Sequence, residues 1–422
     1  MRLPQDKCVS GHSEEAVSQE KALAASALLQ SQLGCVLRRK SFRRWITMKL
    51  VYAHDGHDFY DSLFLGSLTQ KYETLFITFH PSPSHIPEGI QIMKMPDLVP
   101  PIDLYPFDSA REHILTFARA ATFKKYLSKL NADVIIGCWA TTYGVYAAFS
   151  NHHPFVLFVW GSDVLRFPKF VPFKILVKYA LEKADIVVVD CDLQRKVVEK
   201  LGCQSSKILA FPWYDPSGLA TEVKRKSEVM TELGFSEGDL VIISTRRHNP
   251  VYGVGYLIEA IPLIQRQERR AKFLILGEGR FTSQFKKRTR KQIDEGSVKF
   301  LGEVPHKDVA KYLSISDIYI STSLSDGTSA SLLEAMTCSL PPVVTDIPAN
   351  KEWILNGWNG CLIPTRNVPQ LVQKIIRMAK KEETRLEIGK NALETIRTKV
   401  NWQKSMKTLN DTIMRCYSQV SQ

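Results

Sequence analysis

The sequence predicts an α/β protein of two domains, each a mostly parallel sheet covered by helices on both faces, with a cleft between them. Three observations predict it. At 422 residues, and about 100–200 residues per domain, the chain has material for two or three domains. Short apolar runs of strand length alternate with amphipathic stretches of helix length, the pattern of parallel βαβ units. The alternation stops in a polar, charged stretch at 215–238 and then restarts, which places a division near residue 220.

In the first series the apolar runs at 49–53, 75–79, 134–137, 155–160, 186–189 and 208–211 read as strands, and 111–130 and 172–183 as helices. Phe173, Leu176, Val177, Ala180 and Leu181 recur at helical spacing and belong to the core, leaving Lys169, Phe170, Lys174 and Lys178 for an outer face. The second series has strands at 241–245, 273–276, 298–301, 318–321, 343–345 and 361–363, followed by helical stretches at 371–398 and 402–420. The expected division is an extension at 1–47, an N-terminal domain at 48–218, a C-terminal domain at 219–398 and a closing helix at 399–422 that packs back on the first domain. Both domains are Rossmann-like. In such sheets ligands lie outside the carboxyl ends of the strands, so the cleft is the expected site.

Composition narrows the class. Hydrophobic residues at 44%, charged at 23% and aromatic at 10% exclude a disordered chain, a collagen-like fibre and a coiled-coil rod. Fifty-six Lys plus Arg against 43 Asp plus Glu leave +13, which favours polyanionic partners such as nucleotides or anionic lipid headgroups. The basic run Lys286, Lys287, Arg288, Arg290 and Lys291 lacks interleaved aromatics and any nucleic-acid module, so it reads as a solvated helix face and no nucleic-acid partner is expected. No apolar run reaches the ~18 residues of a spanning helix. The eight cysteines form no C-x-x-C pair and read as reduced core residues of a cytoplasmic protein. The Ser-, Gln- and Ala-rich stretch 1–47, with its basic cluster from Arg38 to Arg44, reads as a dispensable arm rather than a lipid anchor.

Chemistry concentrates in the stretch from Ser321 to Met336. A strand ends, Ser325, Asp326 and Gly327 make a turn, and a run of good helix formers begins. The backbone N–H groups of Thr328, Ser329, Ala330 and Ser331 then stand free at a helix N-terminus, an anion site. Asp326 lies at the mouth of the turn and Glu334 eight positions on, so both carboxylates can meet one edge of the cleft. The alternative is that Asp326 caps the helix and Glu334 is solvated.

Gly277, Glu278 and Gly279; Val298 to Val304; the Asp326 to Met336 block; Leu340 and Pro341; Thr345 and Asp346; Glu352; and Asn356 to Gly360 together resemble, in order and spacing, the C-terminal half of the retaining glycosyltransferase family 4. In the N-terminal half, Trp160 to Val164 and Ala184, Asp185 resemble it too. The resemblance implies a GT-B fold, a nucleoside diphosphate sugar held by the C-terminal domain and a carbohydrate or lipid-linked acceptor held by the N-terminal domain. It implies a retaining transfer without cofactor or metal. By position, Asp326 would hold sugar hydroxyls, Glu334 the ribose, Arg247 and the amides of Thr328 to Ser331 the diphosphate, and the backbones of Gly277 and Val304 the nucleotide. Gly327 shapes the turn. The sequence departs from the family at Asp326, usually Glu; at Ser329 and Ser339, usually Gly; and at Tyr252, where a Lys belongs, with Arg246 and His248 as candidate substitutes. An epimerase or phosphorylase on the same fold would need acid or cofactor residues that are not found. A protein that binds a nucleotide sugar without transferring it is the alternative function.

Asp163, in the turn after a buried-looking strand, is an expected acceptor-side catalytic residue, with helix capping as its other reading. Trp160 stands where the family often has His and suggests a stacking surface. Asp190 and Asp192 imitate a metal-binding D-x-D, but the expectation is that Asp192 caps a helix. His152 and His153 read as a loop before Pro154. An anionic membrane surface, met by Lys169, Phe170, Lys174 and Lys178, is a further candidate partner, giving a cytoplasmic protein peripheral on the inner membrane face.

Overall fold

The computed structural model describes residues 48–96, 115–219 and 226–420. The extension at 1–47, the start of the 111–130 helix and the division near residue 220 lie partly or wholly outside the described residues. Two parallel sheets organise the chain. The first contains β1 (Lys49–Ala53), β2 (Glu73–Thr78), β3 (Gln91–Lys94), β4 (Val134–Cys138), β5 (Phe155–Phe158), β6 (Ile186–Val189) and β7 (Ile208–Ala210), in the order β3-β2-β1-β4-β5-β6-β7. The second contains β8 (Leu240–Ser244), β9 (Ala271–Leu276), β10 (Val298–Gly302), β11 (Ile318–Ser321), β12 (Pro342–Thr345) and β13 (Cys361–Ile363), in the order β10-β9-β8-β11-β12-β13.

Strands such as β4 and β8 are buried along their whole length, because helices cover both faces. One face of the first sheet packs Ala120, Phe123, Tyr146 and Leu181, and the second sheet is likewise enclosed between two apolar layers. The other face of the first sheet is closed by the last helix, Trp402–Val420, whose Trp402, Met406, Leu409 and Ile413 meet Leu50, Phe64 and Trp213. Trp402 Nε1 donates to Ser67 Oγ at 3.0 Å and Tyr417 Oη to Asp133 Oδ1 at 3.0 Å.

Four local features differ from the expectations. β3 is an edge strand whose residues are mostly exposed, so it carries no apolar run to find. The polar stretch after 215 holds a helix, Lys226–Glu232, tied down by buried Val229 and Met230. The helical stretch at 371–398 divides at Lys381 into Val368–Lys380 and Glu382–Lys399. Asp192 is the first residue of its helix, Asp192–Lys200, rather than its cap, a point taken up below.

In each sheet the strand order reverses once, between β1 and β4 and between β8 and β11. The loops leaving β8 and β11 therefore diverge, and a crevice opens between them at the carboxyl ends of the strands. Arg246 follows β8 and Asp326 follows β11.

Candidate functional site

The turn after β11 and the helix Ala330–Thr337 form one wall. Ser329 is the N-cap, its Oγ accepting from Leu332 N at 3.4 Å, so helical residues begin at Ala330 and not at Thr328. The Arg246 guanidinium lies against this helix start. Its Nη1 donates to Ser329 Oγ at 2.6 Å and Ser331 Oγ at 2.8 Å, and its Nη2 to Asp326 Oδ2 at 2.5 Å. Tyr319 Oη lies 2.9 Å from Ser331 Oγ. Burial works against the charge on Arg246, but the Asp326 carboxylate outweighs it and holds the guanidinium protonated. Burial raises Asp326, opposed by Arg246 and the Gly327 N–H.

Two of the departures from the family pattern are accounted for here. The Tyr252 ring lies 4.2 Å from the Arg246 guanidinium, so it holds that cation in place by a cation–π contact where a Lys would repel it. Ser329 is a hydrogen-bond partner of the same cation. Arg247, the expected phosphate ligand, is exposed, and the buried cation at the helix start is Arg246. His248 is no substitute: it is fully buried between Phe285 and Phe300, with Nδ1 on Thr282 Oγ1 at 2.7 Å, and burial lowers its pKa. Gly277 has φ +88°, and a Cβ there would meet Arg246 O at 2.7 Å, so the β9 turn presses on the loop carrying the arginines. Val304 is half-buried just beyond β10, and Gly277 N donates to Gly302 O at 2.7 Å.

Glu334 is neither solvated nor free. It is buried, and its Oε1 lies 2.9 Å from His306 Nε2, while the His306 ring stacks on Phe59 of the N-terminal domain at 3.8 Å. The opposite wall is aromatic. Trp160 and Trp213 lie 4.9 Å apart, Tyr60 is 5.6 Å from Trp213, and His54 is 4.5 Å from Trp160. Burial, then the carboxylates of Asp190, Asp58, Asp326 and Glu334, push the Tyr60 phenol well above its ordinary range. At the end of β1 the His54 Nδ1 pairs with Asp61 Oδ1 at 2.7 Å, and Tyr52 Oη donates to the same oxygen at 3.1 Å. Burial alone would discharge His54, yet Asp61 raises it to about 9. No motif announced this pair.

Two further expectations are corrected. Asp163 is completely buried and both oxygens accept backbone N–H groups, from Ala140 and Trp160 on one and from Gly161 and Val164 on the other, so it ties loops together and offers nothing to an acceptor. The N-terminus of Asp192–Lys200 is satisfied from the other domain: Glu352 accepts from Asp192 N at 2.9 Å and Leu193 N at 2.8 Å. Asp190 crosses in the reverse direction and takes the Thr328 N–H at 3.1 Å, so that amide of the expected cradle is already engaged. Among the described residues no group of three or more His, Cys, Asp or Glu is arranged to hold a metal ion. His153 pairs with Asp185 at 2.7 Å.

Comparison with known proteins agrees with this architecture. Residues 225–395 match the family described as glycosyl transferases group 1, and residues 89–191 match glycosyl transferase 4-like proteins. An uncharacterized glycosyltransferase of Methanocaldococcus jannaschii is 24% identical over 290 residues, covering 67% of this chain and 75% of the relative. The alpha-D-kanosaminyltransferase of Streptomyces kanamyceticus is 23% identical over 278 residues, covering 65% of this chain and 68% of the relative. Among solved structures, Anabaena HepE in complex with UDP and glucose superposes with a TM-score of 0.70 at 18% identity, covering 87% of this chain and 99% of that one. The two-domain fold is GT-B.

Proposed function

Because the chain belongs to the group 1 glycosyl transferases, we propose that it moves a hexose-type unit from a nucleoside diphosphate sugar to a hydroxyl of a carbohydrate or lipid-linked acceptor, with retention and without a metal. One observation carries the proposal: a buried guanidinium, two serine hydroxyls and the start of the Ala330–Thr337 helix converge with Asp326 at the strand-order reversal of the second sheet. Positive potential fixed at that point suits a departing diphosphate, since amides and a permanent cation need no reorganisation as charge develops. In this reading Asp326 takes sugar hydroxyls and Glu334 the ribose once His306 releases it. The wall of Trp160, Trp213 and Tyr60 suits the apolar faces of an acceptor sugar.

Tyr252 supports transfer rather than binding alone, because it positions Arg246 instead of leaving a gap. UDP in a HepE complex makes a UDP-sugar the first donor to try. The test is a panel of UDP-, GDP- and ADP-sugars with chelator present, following release of nucleoside diphosphate. Release from one donor, lost in Arg246→Ala and with a raised donor KM in Glu334→Ala, is expected. Binding without release, with acceptors supplied, would favour the alternative of a nucleotide-sugar binding protein.

The acceptor side carries a second, smaller proposal. Phe170, Val171 and Ile175 are 65%, 69% and 62% exposed, beside Lys169, Lys174 and Lys178, an apolar strip rimmed by cations that fits an anionic bilayer. Among the described residues no helix is long and apolar enough to cross a membrane. Sedimentation with anionic liposomes at low salt is expected, and its absence would remove the membrane from the proposal.

A further inference from the structure

The two domains exchange carboxylates. Glu352, beyond β12, accepts from the first two amides of Asp192–Lys200. Asp190, at the end of β6, accepts from Thr328 N at 3.1 Å, while Thr328 Oγ1 donates back to Asp190 O at 2.9 Å. The start of Asp192–Lys200 therefore holds Glu352 of the opposite domain, and the turn that leads into Ala330–Thr337 holds Asp190. The fit at Gly327 is close enough that a Cβ would meet Asp190 Oδ2 and Gln194 Nε2 each at 2.7 Å.

The Asp190 arm is strained in its chemistry. Its Oδ1 is buried and takes no hydrogen bond, and the Nε2 of fully buried Gln194, aimed at the same turn, also lacks a partner. Buried polar atoms left in this state cost about 1–3 kcal/mol each, so the contact is held with little surplus and is readily exchanged for an anion. Asp190 faces Cys191 on its own loop, Asp326 and the Thr328 amide from the second sheet, Glu352 and Tyr60; burial is the main cause that pushes its carboxyl up to about 8.

We infer that Asp190 and Glu352 form a reciprocal clasp between the two domains, and that a donor diphosphate displaces Asp190 from Thr328 when it binds. The inference rests on the donor site proposed above. It makes the donor phosphates compete with a protonated carboxyl of the protein, and couples occupancy of the Thr328 turn to release of one arm of the domain junction. A displaced, solvated Asp190 returns towards its ordinary carboxylate range and gives up the proton it holds in the clasp.

The experiment is calorimetric titration of UDP, GDP and ADP into the full chain at pH 7, in two buffers of different ionisation enthalpy. Asp190→Ala is expected to bind its nucleotide about tenfold more tightly than the wild type. Asp190→Asn, close in shape should the alanine variant not fold, is expected to release fewer protons per nucleotide than the wild type, by more than half a proton. Equal affinities in wild type and Asp190→Ala, or equal proton release in wild type and Asp190→Asn, would overturn the clasp while leaving the donor site standing. Failure of every variant to bind any of the three nucleotides would overturn the donor site and the displacement together.

Discussion

The two walls of the cleft both bury a cation against a carboxylate, and they do so with different chemistry. On the C-terminal wall Arg246 pairs with Asp326 among serine hydroxyls and helix amides. On the N-terminal wall His54 pairs with Asp61 behind an aromatic surface of Trp160, Tyr60 and Trp213. Arginine cannot be discharged at any pH the protein meets, whereas histidine can. On the function proposed above, the wall that takes a fixed anion keeps a permanent charge, and the wall that takes a neutral polyol keeps a titratable one.

Breaking the permanent pair has the largest expected effect. Arg246→Ala leaves the half-buried Asp326 without its partner, which costs about 3 kcal/mol and is expected to lower the urea midpoint markedly as well as to abolish turnover. Arg246→Ala with Asp326→Asn in the same chain is expected to recover part of the stability and none of the activity. If the single variant unfolds at the wild-type midpoint, the pairing is not what holds this wall.

The titratable pair gives a smaller effect with a definite sign. His54 is raised from 6.5 to about 9 in the folded protein. Its stabilisation is therefore fully present below pH 6.5 and is lost as pH rises through 9, on the order of 2–3 kcal/mol. Asp190 acts in an overlapping window for another reason: a buried carboxyl raised from 3.8 to about 8 makes stability decline as pH climbs from 3.8 to 8, after which it has no further effect. Above pH 8 the cysteine thiols, pushed up by burial, add a decline of their own, so the share of His54 is read as a difference between two proteins. Urea unfolding of the wild type and His54→Gln at pH 6, 8 and 9 is expected to show a steeper fall in the wild type than in the variant. A parallel fall in both would assign it elsewhere.

The contrast between the walls also explains what could be read from the sequence. The C-terminal wall is carried by one continuous segment, a strand, a turn and a helix from 318 to 337, so local rules reached Asp326, Ser329 and Glu334. They did not separate Arg246 from Arg247. Neighbouring residues of an extended chain point to opposite sides, but every residue of β8 is buried, so the strand shows no alternation to say which arginine faces inward. The N-terminal wall is assembled from the ends of β1, β5 and β7 and from the Phe59–Leu68 helix. His54 and Asp61 are only seven positions apart, yet Trp160 and Trp213 join them through the fold alone. Asp163 misled because a carboxylate in a turn after a buried strand looks the same whether it faces solvent or four backbone amides. Local rules set Asp192 against its own helix, whereas the partners of Asp190 and Asp192, Thr328 and Glu352, lie 138 and 160 positions away.

The smallest effect sharpens where on the Ala330–Thr337 helix the donor chemistry resides. At its far end Ser339 has φ +59°, Ser339 N donates to Met336 O and Leu340 N to Ala335 O at 2.9 Å, the closing pattern that favours glycine in the left-handed position. Gly389 crosses so close that a Cβ on it would meet Ser339 O at 2.0 Å, which pins the serine in that conformation. Ser339→Gly removes a left-handed penalty of about 1 kcal/mol. The gain is reduced because glycine also frees the unfolded chain. The variant is expected to raise the urea midpoint slightly with donor KM unchanged. A change in donor KM of severalfold would mean that the helix transmits strain from its C-terminus to Ser329 and Ser331, and that the cradle is not set by its N-terminal turn alone.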